Sequence, residues 1–265
     1  YVLTQEFKTF FKNTKVRIIQ EAPYEFLKDS TRSGTYFFVN GTFNFGPSEL
    51  NQLKAFVARG NDVFIAGNDL SIKSLNLSTK QLTTTAFKEH SYYKLLNKRL
   101  DTSAYAFDRE NSSIVFSKID TSKTTVLGKL LIKDTDLTQK SSGVNFIRYE
   151  HGKGTFYFHT MPLVFTNYAL LKDRNHQYVA SVLSYIDERK PIFYDAYYKT
   201  GKTKITSPLY YVLSSDNLRW AYYTALMGVL FFVFFKAKRT QRIIPIISPL
   251  KNQSLAFTRT IANMY

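Results

Sequence analysis

Cysteine is missing from all 265 residues. That excludes a disulfide framework, a thiolate nucleophile and any thiolate-ligated metal, and it fits an oxidising compartment. Acidic residues are missing from one region: residues 219–265 hold seven Lys or Arg and no Asp or Glu. The formal net charge of +16 is therefore densest beside one apolar segment, a membrane signature and not the stripe of a nucleic-acid binder. The chain begins at Tyr1 without a methionine, so it reads as a fragment whose own N-terminus is missing, and no signal peptide is visible. Internal repeats and low-complexity segments are absent too.

Catalytic signatures are equally scarce. The four histidines, His90, His151, His159 and His176, form no His-Glu-x-x-His pair. No Gly-x-Ser-x-Gly elbow occurs for a serine nucleophile. Asp62, Asp69, Asp173, Asp187 and Asp195 have no partner at a spacing that argues for a general acid and base. No metal and no cofactor is expected. Basic stretches mixed with tyrosines, "HSYYKLLNKRL" and "YYKTGKTK", could serve a single-strand binder. Outside a membrane there is little nucleic acid to bind, and paired tyrosines fill aromatic cores, so no nucleic-acid partner is expected.

What is present begins with aromatics: 23 Phe and 19 Tyr are ample material for a core. A helical pattern over Val2–Phe11 precedes a short strand at Val16–Ile19, and "TYFFV", Thr35–Val39, reads as a strand buried on both faces. Pro47 stands at a first helical position, Leu50, Leu53, Phe56 and Val57 mark one face, and Gly60 sits where a C-terminal cap belongs. "DVFIA", Asp62–Ala66, follows as a strand, so the unit is a right-handed parallel crossover. Further on, Leu70–Leu75 and Tyr92–Leu100 read as helical, and Ser113–Ile119 and Thr124–Ile132 as strands. Val144–Glu150 and Thr155–His159 form a hairpin around "HGKG", Asn175–Ile186 is a helix, and Pro191–Tyr198 adds a last strand.

"RWAYYTALMGVLFFVFFKAKRTQR" sets the location. The 16 uncharged residues between Arg219 and Lys236 span about 24 Å of a hydrocarbon core of about 30 Å. Snorkelling stems supply the difference. Trp220, with Tyr222 and Tyr223, stands where an aromatic belt belongs. A buried core helix of this length would show a polar stripe and gives no reason for Lys236, Lys238, Arg239 and Arg242 on one flank. The expected organisation is an extracytoplasmic α/β domain over 1–205, a linker over 206–218, a transmembrane helix over 219–236 and a basic cytoplasmic tail over 237–265. By the positive-inside rule this places the anchor in the inner membrane and the large domain in the periplasm. In the tail, Leu255, Thr258, Ile261, Ala262 and Tyr265 fall near one helical face, suited to the membrane surface or to a cytoplasmic partner.

"GKGTFYFHTMPLVFTNYALLKDRNHQYVASVL", residues 152–183, is the stretch most like a site. His159 ends a strand and is either a base or a capped, solvated histidine. Asn167 is expected to tie down the loop through backbone hydrogen bonds, and Asp173 or Asn175 to cap the following helix. The rim of this loop is the first place to look for a ligand. "GNDL" at 67–70 follows a strand, where α/β folds bind ligands, but reads as a structural turn.

Three pieces taken together, "GTYFFVN…SELNQLKAFVARGNDVFIA" at 34–66, the 152–183 stretch and the basic-flanked span through residue 252, resemble the bacterial domain of unknown function 4350 family. The resemblance covers the chain from about Val16 to the end. It implies a membrane-anchored protein whose outer domain is similar to class I glutamine amidotransferase-like and other flavodoxin-like folds, with a parallel-sheet core. Members usually carry an N-terminal membrane helix too, which these residues do not contain. The family tends to be encoded beside a MoxR-type AAA ATPase and a von Willebrand-like protein, which implies a role in an envelope or assembly system. Amidotransferases need a cysteine on their elbow. This chain has none, so a non-catalytic binding or scaffolding protein is the expectation, and a hydrolase or transferase with an unrecognised non-cysteine site near His159 is the alternative.

Overall fold

The structure, a computed structural model, describes residues 7, 11, 14–82, 90–107, 113–133, 138–198, 213, 216–236 and 252–264. The chain divides into two compact units, Tyr1–Thr203 and Lys204–Tyr265.

The first unit is built on one eleven-stranded sheet. Its parallel part uses β1 (Val16–Ile19), β2 (Thr35–Val39) and β3 (Asp62–Ala66), with helices α1 (Pro23–Leu27) and α2 (Pro47–Ala58) between them. The chain then leaves for β4 (Ser78–Leu82), β5 (His90–Leu95), β6 (Tyr105–Ala106), β7 (Ser113–Lys118), β8 (Thr124–Lys133) and β9 (Gln139–His151). It returns with β10 (Gly154–His159), α3 (Asn167–Leu171), α4 (Asn175–Leu183) and β11 (Ile192–Asp195). The strand order is β1-β11-β2-β3-β10-β9-β8-β5-β6, with β4 and β7 paired to each other and β7 joined to β9. β1, β11, β2, β3 and β10 run parallel, and every other pairing is antiparallel.

The expected parallel core is thus only part of a mixed sheet. Strands β2, β3, β10 and β11 are buried along their whole length, as parallel strands covered on both faces must be. Alternation then divides the aromatics between two cores. Tyr36 and Phe38 join Leu53, Phe56 and Val57 of α2 on one face, while Phe37 and Phe64 join Phe165, Tyr178 and Val182 on the other. Phe37 and Phe64 stack across β2 and β3 at 4.5 Å between centroids. Each fully buried ring of this kind contributes about 1.5–3 kcal/mol.

α2 starts and stops as its sequence dictates. Pro47 opens it, the Gly46 N–H donates to Glu49 Oε2 at 3.3 Å, and Gly60 follows it at φ +103°, a left-handed conformation that glycine adopts without strain. Two expected helices fail. Tyr92–Leu100 is instead the strand β5 followed by a turn, because Tyr93 and Leu95 are buried on one side while the backbone pairs with Leu130 and Gly128 of β8. Leu70–Leu75 is reduced to a 3-10 turn at Lys73–Leu75, closed by Asn76 in the left-handed region and by the Ile72↔Leu77 bridge. The last strand stops at Asp195, where the Asp195 carboxylate accepts from the Tyr198 N–H and turns the chain. α4 likewise ends at Leu183, short of Ile186. Of the pattern over Val2–Phe11, only Phe7 and Phe11 lie among the described residues; both are buried, and the Phe11 N–H donates to the Phe7 carbonyl.

The second unit contains α5 (Asp216–Lys236) and α6 (Gln253–Ala262). Asn217–Lys236 is the one helix among the described residues long and apolar enough to cross a membrane. The Thr224 hydroxyl donates to the Trp220 carbonyl at 2.9 Å, which satisfies it within the helix. Lys238, Arg239 and Arg242 lie outside the described residues.

Candidate functional site

The register places the carboxyl ends of three parallel strands in one row. Val39 of β2 and His159 of β10 both pair with Ala66 of β3. Two glycines allow β10 to arrive there. Gly152 turns at φ +64°, and a Cβ on Gly154 would sit 2.1 Å from the Asn61 carbonyl oxygen, so the β9–β10 hairpin presses directly against the end of α2.

His159 is wholly buried. The Met161 N–H donates to its Nδ1 at 3.1 Å, so the ring proton sits on Nε2, which donates to the Tyr178 hydroxyl at 3.0 Å. Asn145 Nδ2 lies 3.4 Å from both Nε2 and the Tyr178 hydroxyl. The rings of Tyr93, Phe146, Phe165 and Tyr178 surround the imidazole at 5.4–6.5 Å between centroids. Burial among these rings depresses its pKa to about 3, against a small opposing effect of the Met161 bond. The imidazole is therefore neutral at physiological pH and has no carboxylate among its hydrogen-bond partners. It works as a latch that joins the end of β10, the loop backbone and α4.

The loop after β10 also lines a pocket of about 270 Å³. Its walls are Phe107, Met161, Leu163 and Ala169, with Thr166, Tyr168 and Asn175 as polar members. The Thr166 hydroxyl donates to the Leu163 carbonyl at 2.7 Å and accepts from the Ala169 N–H at 3.4 Å, so Thr166 is the residue that caps α3. Asn167 is exposed in the first turn of α3, beside Thr166. Neither Asp173 nor Asn175 caps α4 as expected. Asp173 occupies a left-handed corner at φ +48° and Arg174 precedes the helix without capping it, its Nε donating to Gln177 Oε1 at 3.0 Å instead, while Asn175 is the buried first residue. Of the expected site residues, then, Asn175 lines the pocket, His159 is buried two residues before its Met161 wall, and Asn167 and Asp173 are exposed.

A second polar knot escaped the sequence reading. The Tyr198 hydroxyl donates to Glu49 Oε2 at 2.6 Å, the Tyr198 N–H to Asp195 Oδ2 at 2.9 Å and the Tyr36 hydroxyl to Asp195 Oδ1 at 3.5 Å. Burial, then the nearby carboxylates, hold both tyrosines well above the ordinary phenol pKa. The knot fastens β11 to β2 and to the start of α2. Its only signals in sequence were single acids in apolar surroundings. Among the described residues, no group of three or more His, Asp or Glu is placed to hold a metal ion.

The sequence profile described as "Domain of unknown function (DUF4350)" matches residues 4–183. The chain belongs to the DUF4350 family. The match takes in the latch, the pocket and every strand but β11. No curated protein sequence matches the chain. Among solved structures, the mmIFT52 N-terminal domain is 12% identical, covering 69% of this chain and 89% of that one, with a TM-score of 0.48. A putative ThuA-like protein from Bacteroides uniformis is 14% identical over 68% of this chain and 82% of its own, with a TM-score of 0.42. The carbohydrate deacetylase Agd3 is 9% identical with a TM-score of 0.36; the match covers 48% of the DUF4350 chain and only 21% of the deacetylase. At these identities and scores the likenesses assign no activity.

Proposed function

We propose that this DUF4350 protein is a membrane-anchored, extracytoplasmic binding or scaffolding module that performs no chemistry of its own. The observation that carries the reading is the sealed imidazole: His159, at the carboxyl end of β10, is neutral, buried and bonded at both nitrogens, two residues before the Met161 wall of an apolar pocket. The pocket suits one bulky aliphatic or aromatic side chain of a protein partner, oriented by the polar groups of Thr166 and Asn175. The five parallel strands with helices on both faces support a flavodoxin-like or amidotransferase-like relation for that half of the sheet.

Anchoring rests on α5 and on the acid-free sequence beyond it, whose Lys238, Arg239 and Arg242 favour a cytoplasmic tail, an inner-membrane anchor and a periplasmic domain. In this reading the protein links an envelope event to a cytoplasmic partner, with a MoxR-type ATPase system as the candidate. Photo-crosslinkers placed at Tyr168 on the pocket rim and at Arg259 in the tail, in membranes of the native host, test it. Protein adducts from both positions, with the Tyr168 adduct lost when Ala169→Trp fills the pocket, are the expected result. Recovery of lipid alone from the tail counts against the adaptor role, and a Tyr168 adduct indifferent to Ala169→Trp counts against the pocket.

A further inference from the structure

The loops after β2 and β3 build a second cleft at the same carboxyl edge of the sheet, on the α2 side. Their walls are tied together before any ligand arrives. The Asn68 N–H donates to the Gly41 carbonyl at 2.8 Å, and Thr42 and Asp69 form a parallel bridge. Between them lies a space of about 530 Å³, within the usual range of about 300–1,000 Å³ for small-molecule sites. Its floor is aromatic: Phe43 and Phe45 stack in nearly parallel planes with 5.2 Å between centroids, and rest edge-on against Phe38 and Tyr198. Both rings remain half-buried.

The rim is polar and uncommitted. Asn44, Asn51, Asp69 and Lys73 line it, all exposed. Asp69 Oδ1 accepts from the Ser71 N–H at 3.1 Å and the Thr79 hydroxyl at 3.4 Å. Those bonds fix the carboxylate while leaving Oδ2 without a partner among the described residues. The amides of Asn44 and Asn51 and the ammonium of Lys73 likewise have no partner there.

This composition selects a ligand class. One carboxylate and one ammonium leave the rim neutral, so it offers no excess charge to phosphate or to a polycation. A wholly apolar ligand would strip water from the two amides and the carboxylate without replacing their bonds. The strands that carry these loops, β2 and β3, both lie inside the sheet and offer an extended peptide no free edge. What fits is a neutral molecule with an apolar face for the phenylalanine floor and hydroxyls around its edge for the amides and the carboxylate. We infer that this cleft binds a neutral saccharide, with room for more than one pyranose ring.

Full-length protein in a detergent without a sugar headgroup, titrated with cellotriose, maltotriose and tri-N-acetylchitotriose by calorimetry and saturation-transfer NMR, tests the assignment. At least one trisaccharide is expected to bind, and Phe45→Ala and the double variant Asn44→Ala/Asn51→Ala each to weaken it about tenfold or more. The double variant removes exposed, unbonded side chains, so its fold is kept and its loss reports the contact itself. Binding of none of the three at up to about 10 mM, or binding that the double variant leaves unchanged, overturns the inference.

Discussion

Acidification should expose the latch. In the unfolded chain His159 titrates near the ordinary histidine value of about 6.5, whereas in the folded protein burial holds it at about 3. Between these values the unfolded state takes up a proton that the folded state refuses, so stability falls as the pH falls. The contribution is complete above about 6.5 and declines by roughly 1.4 kcal/mol per pH unit below it. From pH 6.5 to 4.5 the loss is therefore about 2.7 kcal/mol, a shift of roughly 5–11 °C in Tm for a domain of this size. The carboxylates add their own pH dependence, which a His159→Gln variant retains while losing the imidazole. The measurement is thermal unfolding of the sheet-bearing unit within the full-length protein, wild type against His159→Gln, from pH 7.5 to 4.5. The wild-type curve should steepen below pH 6.5 relative to the variant, and the His159 ring resonances should stay those of a neutral imidazole to pH 4.5. Parallel curves, or a ring that titrates near pH 6.5, would refute the sealed latch and return His159 to the list of proton-transfer groups.

Tyr178→Phe leaves the Nε2–H of His159 without its hydroxyl acceptor at 3.0 Å and should cost about 1–3 kcal/mol, read by thermal unfolding; a neutral result would mean that the Asn145 amide turns its Oδ1 to accept from the ring. Gly154→Ala places a Cβ 2.1 Å from the Asn61 carbonyl oxygen, so the hairpin must shift, with a loss of at least about 1–3 kcal/mol and reduced yield of folded protein. Met227→Lys in the middle of α5 should cost about 2.5–3.5 kcal/mol of membrane insertion. It should move protein from the alkali-resistant membrane pellet to the supernatant, and unchanged partition would argue that α5 does not span.

Local chemistry was enough for the crossover. Strands β2 and β3 and helix α2 have the boundaries that "TYFFV", Pro47, Gly60 and "DVFIA" imply, because buried runs, a proline at the first turn and a left-handed glycine are each decided within a few residues. The apolar span at Asn217–Lys236 was legible for the same reason, since length and hydropathy are properties of the chain alone. The middle of the chain was not. "HSYYKLL" carries apolar residues that suit either period, and only the neighbouring β8 made it a strand. The hairpin of β9 and β10 around "HGKG" was legible, but the sheet became mixed because β10 also pairs in parallel with β3 on its other side, a pairing no local pattern announces.

The same division runs through the site. Composition alone excluded a cysteine nucleophile, and the apolar run beside an acid-free stretch alone marked the helix long enough to cross a membrane. The state of His159 depended on Met161, Tyr178 and Asn145, brought together from a loop, a helix and β9. The Phe43 and Phe45 floor faced Asp69 only after β2 and β3 had paired. A residue's protonation and its neighbours depend on burial and on contacts across the fold, and those exist only once distant segments have packed.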